Sequence, residues 1–251
     1  SKSVFIGTVD AASRMVFAGV TVTCNAGNAF YVSTVAGSLT ISRCTIATTN
    51  AGSTCMGFFG GIVSGPVAIT DTTINSGHFA LYFANLQAPL ALTNVVVTAG
   101  SGTALHFVAV SGAATAIDIT GGSFTGLESG IDFPALAAAT AVTLTDVAAE
   151  ATGATHAALR FDGTVAGPVS ITGGTFTQPD ASQGAIWFDQ AVTGAVSISD
   201  VTATSGHNPV TFISLQAPLT MKNVVATSTA ANGLYFVLTG AAATTIDITG
   251  G

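Results

Sequence analysis

The chain has 251 residues, 49% of them hydrophobic and only 7% charged, with 5 basic against 12 acidic residues and a net charge of −7. So few Lys and Arg exclude a phosphate-neutralising nucleic-acid surface and a basic membrane-surface helix, while the apolar content excludes disorder. No run of about 18 apolar residues is free of Gly, Ser or Thr, so no membrane span is predicted.

From the N-terminus, Lys2 to Val9 is too short an apolar run for a signal peptide, and Asp10 ends it. The chain therefore reads as mature or as a fragment. Met15-Val-Phe17-Ala18-Gly19 then opens a phrase that returns to the end of the sequence. It recurs as Leu39-Thr-Ile41-Ser42-Arg43, Val67-Ala-Ile69-Thr70-Asp71, Leu90-Ala-Leu92-Thr93-Asn94, Ile117-Asp-Ile119-Thr120-Gly121 and Val142-Thr-Leu144-Thr145-Asp146. Then follow Val169-Ser-Ile171-Thr172-Gly173, Val196-Ser-Ile198-Ser199-Asp200, Leu219-Thr-Met221-Lys222-Asn223 and Ile246-Asp-Ile248-Thr249-Gly250. The spacing is 23 to 28 residues. Apolar, small, apolar, hydroxyl is the alternation of a half-buried strand. The Asp, Asn or Gly that follows is turn chemistry, because these residues best tolerate a left-handed backbone.

Between these phrases lies a second one: Phe30-Tyr-Val32, Met56-Gly-Phe58, Leu81-Tyr-Phe83, Leu105-His-Phe107, Ile131-Asp-Phe133, Leu159-Arg-Phe161, Ile186-Trp-Phe188, Val210-Thr-Phe212 and Leu234-Tyr-Phe236. It places eight of the 15 phenylalanines in one register. Two strands and a shorter third segment per repeat predict an all-β chain coiled as a parallel β-helix of about ten coils. Like residues then stack about 4.8 Å apart on neighbouring coils. A β-sandwich would need turns every 8 to 12 residues and no fixed long register. A longer period is also present. Leu86-Gln-Ala-Pro-Leu90 returns as Leu215-Gln-Ala-Pro-Leu219, and Ser76-Gly-His78 as Ser205-Gly-His207, both offset by 129 residues. The single solenoid of residues 1–251 thus divides into approximate five-coil copies, 1–122 and 123–251.

The three cysteines, Cys24, Cys44 and Cys55, cannot close a disulfide framework. They are read as small buried hydrophobes, with one pair plus a free thiol as the alternative. No Cys/His metal spacing occurs, and His78, His106, His156 and His207 share none, so no metal site and no cofactor is expected. No Asn-x-Ser/Thr sequon is present.

The style of Val169 to Phe176, Val-Ser-Ile-Thr-Gly-Gly-Thr-Phe, resembles the right-handed parallel β-helix repeats of the pectin-lyase-like superfamily, and the resemblance covers almost the whole chain. The Ala-, Thr-, Val- and Gly-rich, charge-poor composition also resembles the giant repetitive surface proteins of trypanosomatids, the dispersed gene family. The first resemblance implies the fold. Its functions span lyases, glycosidases, phage tailspikes and non-enzymatic surface proteins. Lyases of the superfamily need basic residues for acidic sugars, and here the five basic residues are not clustered.

Three surfaces are candidates. Asp132, Arg160 and Trp187 share an outward column on successive coils, with Asp162 and Asp189 two residues along. Paired carboxylates beside an indole fit a sugar site or, by the resemblance, glycosidase chemistry. The plainer reading is an Asp132–Arg160 ion pair with Arg160 over Trp187. Thr40 and Ser42, Thr70, Thr143 and Thr145, Ser170 and Thr172, and Ser197 and Ser199 form outward hydroxyl rows, as on an ice-binding solenoid. Thr equally suits any solvated strand face. The ends of a solenoid expose strand edges unless capped, and no cap is legible. The expectation is a non-enzymatic structural or adhesive rod, extracellular or at the cell surface, about 45 Å long. Its expected partners are further coils or copies of itself end to end, and surface glycans, but neither nucleic acid nor a membrane.

Overall fold

The computed structural model describes residues 2–112, 115–154, 156–180, 182–238 and 245–251. Among these residues there are 29 strands and no helix, hence none long and apolar enough to cross a membrane. The strands visit three parallel sheets in strict rotation. Sheet A begins with Lys2–Val9 and Asn28–Val35, sheet B with Arg14–Ala18 and Ser38–Ser42, and sheet C with Thr21–Cys24 and Thr45–Thr48. Sheets A and B have ten strands each and sheet C nine. The parallel β-solenoid therefore has about nine complete turns and two strands of a further one, slightly fewer than the phrase count suggests.

The two sequence phrases are the strands of sheets B and A. Their registers align residue for residue, as in Leu90 with Val67 and Leu92 with Ile69, or Leu159 with Ile186 and Phe161 with Phe188. The turn from sheet B to sheet C falls where expected. Arg43, Asp71, Asn94, Asp146, Asp200 and Asn223, together with Gly19, Gly121, Gly173 and Gly250, all have positive φ. Each closes one phrase. The turns also interlock: Asn94 donates to Asp71 Oδ1 at 3.2 Å and Asn223 to Asp200 Oδ1 at 2.8 Å. At Gly173, with φ of 68°, an added Cβ would lie 2.1 Å from Asp146 Oδ1 of the coil before. Glycine there serves both the left-handed backbone and the space that Asp146 occupies.

The interior is a set of axial ladders. Phe58, Phe83, Phe107, Phe133, Phe161, Phe188, Phe212 and Phe236 form one continuous stack. Their centroids are 4.4 to 5.6 Å apart and their planes within 26° of parallel. Over four coils sheet C fills its inner column by alternating size, with Phe124, Ala149, Phe176 and Ala203 in register. A large ring takes the room a small neighbour leaves, which keeps the core close-packed.

All three cysteines are buried and none is in a disulfide. Cys55 occupies the position before a sheet A strand that Ala80 and Ala104 take on the next coils, and all three are 0% exposed. Burial pushes the Cys55 thiol up from 9.0 to about 12, against the pull of backbone hydrogen bonds at Asn75 and Thr48.

Candidate functional site

The outer face of sheet A carries the chemistry. Its central column, set by strand register, runs Phe5, Tyr31, Gly57, Tyr82, His106, Asp132, Arg160, Trp187, Thr211, Tyr235. The first half is aromatic. Where the column holds Gly57, the ring of Phe59 folds over the vacant position, and a Cβ on Gly57 would lie 1.8 Å from it. Phe59 thereby stacks between Tyr31 at 5.3 Å and Tyr82 at 4.8 Å. Phe79 then stacks on His106 at 5.0 Å. Stacked and tilted contacts link these rings from coil to coil, so this half of the strip is a second, external ladder. Burial raises the Tyr82 phenol above its ordinary value.

The second half is charged, and it brings together all five residues singled out from the sequence. The pairing differs from the expected Asp132–Arg160 ion pair. Arg160 Nη2 donates to Asp162 Oδ1 at 2.5 Å and to Asp189 Oδ2 at 2.8 Å. Burial alone would lower the Arg160 pKa. The hydrogen bond to Asp189 and the fields of Asp132, Asp162 and Asp189 outweigh it and raise that pKa. Asp132 instead faces back one coil to His106, with Oδ2 3.2 Å from His106 Nδ1. The contact lacks hydrogen-bond geometry: His106 Nδ1 and Asp132 Oδ1 are both sealed from solvent without a hydrogen-bond partner.

Trp187 does not lie under Arg160 as a cation–π partner. Its Nε1 donates to Asp189 Oδ1 at 3.3 Å, and its nearest ring is the tilted His207 at 6.1 Å. The hollow in this face lies not around Trp187 but two coils earlier. It has a volume of about 220 Å³ and is lined by His106, Phe107, Val108, Asp132, Pro134 and Asp162.

Sequence reasoning did not single out His106, which it weighed only for metal spacing. The available signal was its place in the same column, one coil before Asp132. Phe59 was missed because it lies two residues beyond the column, although Gly57 marked the gap.

The hydroxyl rows lie on the outer face of sheet B. One row is unbroken over seven coils: Ser42, Thr70, Thr93, Thr120, Thr145, Thr172 and Ser199. The other, holding Thr40, Thr143, Ser170 and Ser197, is interrupted by Ala68, Ala91 and Asp118. The flat paired array that an ice lattice would match is therefore missing from the first half of the rod. Among the described residues, no group of three or more His, Cys, Asp or Glu is disposed to hold a metal ion.

The fold and this face define a parallel β-solenoid with an aromatic-to-acidic strip along one side. Comparison with protein-family models, with curated proteins and with solved structures finds no match.

Proposed function

We propose that the chain is a rigid structural rod of an extracellular or surface-exposed assembly, built to extend by adding coils and to carry an adhesive face on sheet A. The observation that carries this reading is the continuity of the ladders and the state of their ends. Met221 is fully buried, whereas Ile248, its register neighbour on the last coil, is 46% exposed. Met15 and Phe17 at the other end, and Leu234, Phe236 and Ile246 beside Ile248, are likewise only partly covered. Both ends present the same aliphatic and aromatic pattern that the interior repeats, a pattern that further coils, of the same chain or of a second copy, would continue. Unpaired strand edges add backbone hydrogen bonds to that junction.

Binding without turnover fits the charged cluster. Asp162 and Asp189, the carboxylates a two-acid glycosidase mechanism would use, both clasp the same guanidinium. Neither stands free as acid or base. Only one row of the sheet B hydroxyls runs unbroken over seven coils, which favours ordinary strand solvation over ice binding.

Sedimentation velocity across a concentration series tests the reading. The expected result is concentration-dependent growth along the axis that Ile248→Asp suppresses, because a charge in the junction carries a desolvation cost. A monomer at every concentration, or growth indifferent to Ile248→Asp, refutes end-to-end stacking.

A further inference from the structure

The connection into the last strand of sheet A holds a peptide unit that the chain can rearrange by itself. Nine asparagines occur in the sequence, and only Asn232 precedes a glycine. Asn232 and Gly233 lie between Val225–Ser228 of sheet C and Leu234–Leu238 of sheet A. Asn232 is exposed. Its backbone N–H donates to Asn208 Oδ1 at 3.0 Å, and Ala231 N–H donates to Ser228 Oγ at 2.9 Å. These bonds hold the residue from its N-terminal side. On the other side, the Gly233 N–H donates to none of the described residues. Interior coils differ at the same place, one residue before the sheet A strand. There Cys55 N–H donates to the Phe79 carbonyl and Ala185 N–H to the Pro209 carbonyl, both at 3.0 Å. Space is also open around the glycine: an added Cβ would meet only the Ala226 carbonyl, at 3.4 Å.

An amide nitrogen without a hydrogen bond, and with no side chain to shield it, can attack the carboxamide one residue back. Glycine reaches the backbone angles this needs at the least steric cost. Attack of Gly233 N on Asn232 Cγ forms the N–Cγ bond and breaks Cγ–Nδ2, and the displaced nitrogen leaves with the amide proton as ammonia. Water then opens the cyclic succinimide. Opening at Cγ gives aspartate, and opening at the backbone carbonyl gives isoaspartate, whose main chain runs through Cβ. The balance is asparagine plus water to acid plus ammonia, with no other reactant. Two asparagines provide contrast. Asn208, one coil earlier, precedes Pro209, which has no N–H to attack with. Asn75 is exposed but sits inside the strand Thr73–Ser76, whose ladder fixes its backbone. We infer that Asn232 is a self-modifying site that converts to aspartate and isoaspartate through a succinimide with Gly233. The site belongs to the single chain and does not depend on end-to-end growth. Its product places a new carboxylate and, as isoaspartate, an extra main-chain carbon just before the last sheet A strand. Because ammonia leaves, the change is one-way and accumulates with the age of the molecule.

Timed incubation of the folded chain in mildly alkaline heavy-oxygen water, followed by peptide mapping with mass spectrometry, tests the inference. A free peptide of residues 228–236 in the same buffer sets the time scale. Asn232 is expected to convert at least about tenfold faster than Asn25 or Asn75, which are also exposed but lack a following glycine. Both products should carry heavy oxygen from the water. Gly233→Pro, which copies Pro209 of the coil before and removes the attacking N–H, should abolish conversion. Gly233→Ala should slow it severalfold, and it takes the place of the proline variant if that variant does not fold. No conversion of the folded chain over the time in which the peptide converts would show that the fold shields the bond, and would overturn the inference. Equal rates at Asn232 and Asn75 would overturn it, as would undiminished conversion in the Gly233 variants. Conversion of a chain that stays monomeric in sedimentation would sustain this inference while refuting end-to-end stacking.

Discussion

Replacing Phe161 by alanine removes one ring from the middle of the internal stack. Phe161 is fully buried, with Phe133 at 5.1 Å and 13° on one side and Phe188 at 4.4 Å and 3° on the other. A buried Phe→Ala change costs about 3–5 kcal/mol through lost transfer energy and the cavity left behind. Two nearly parallel ring contacts, each about 0.5–1.5 kcal/mol beyond area burial, place this site at the upper end, roughly 5 kcal/mol. The hole cannot collapse easily, because backbone ladders fix the coils on either side. Phe236, on the last ring, is the internal comparison. It has one ring neighbour in the stack, at 5.6 Å and 26°, and is only partly buried. Phe236→Ala should cost roughly 2–3 kcal/mol. Urea denaturation followed by circular dichroism measures both, and a lower m-value in Phe161→Ala would show the two halves uncoupling, as nearest-neighbour solenoids do. A loss under about 1 kcal/mol at Phe161, or a larger loss at Phe236, would refute the stacked-ladder account.

Three further outcomes follow from the same geometry. Below pH 9 the Cys55 thiol keeps its proton folded or unfolded. Between 9.0 and about 12 only the folded chain keeps it, so stability falls by about 1.4 kcal/mol per pH unit. Alkaline denaturation should show that slope in the wild type and a shallower one in Cys55→Ala, where only the raised Tyr82 phenol still contributes above its ordinary value of 10.0. Gly173→Ala should cost at least about 2 kcal/mol from the left-handed backbone and the collision with Asp146. In an Asp146→Gly background the loss should shrink toward the backbone part alone, and a double-mutant cycle with no coupling would count against the interlocked turns. Nanolitre osmometry should find no thermal hysteresis, and measurable hysteresis would restore the sheet B hydroxyl row as an ice-binding surface.

The sequence displays its architecture because a solenoid writes each contact into the chain once per coil. Leu159, Arg160 and Phe161 predict their neighbours Ile186, Trp187 and Phe188 by alignment alone, and the residue after each phrase announces its left-handed turn. The column of candidate site residues was legible for the same reason. What the alignment could not give was side-chain direction within the outer face. Arg160 sits beside Asp132 in register, yet its long side chain reaches the two aspartates displaced along the strand. Phe59 starts from the column that holds Asp162 and Asp189 but bends back over Gly57, and His106 meets the carboxylate one coil on. Those choices depend on rotamers and local crowding, not on period. The third strand was the faintest in sequence because sheet C accepts Cys24, Thr48, Ala99 and Gly126 at equivalent inward places.

The central claim is that this chain is a coil-on-coil rod whose ladders continue through its ends. Cryo-electron microscopy of the concentrated protein tests it most directly. The account predicts straight particles of constant cross-section that lengthen in steps of about 45 Å, one chain per step at about 4.8 Å per coil. Particles of a single length at all concentrations, or assemblies that grow sideways, would contradict it.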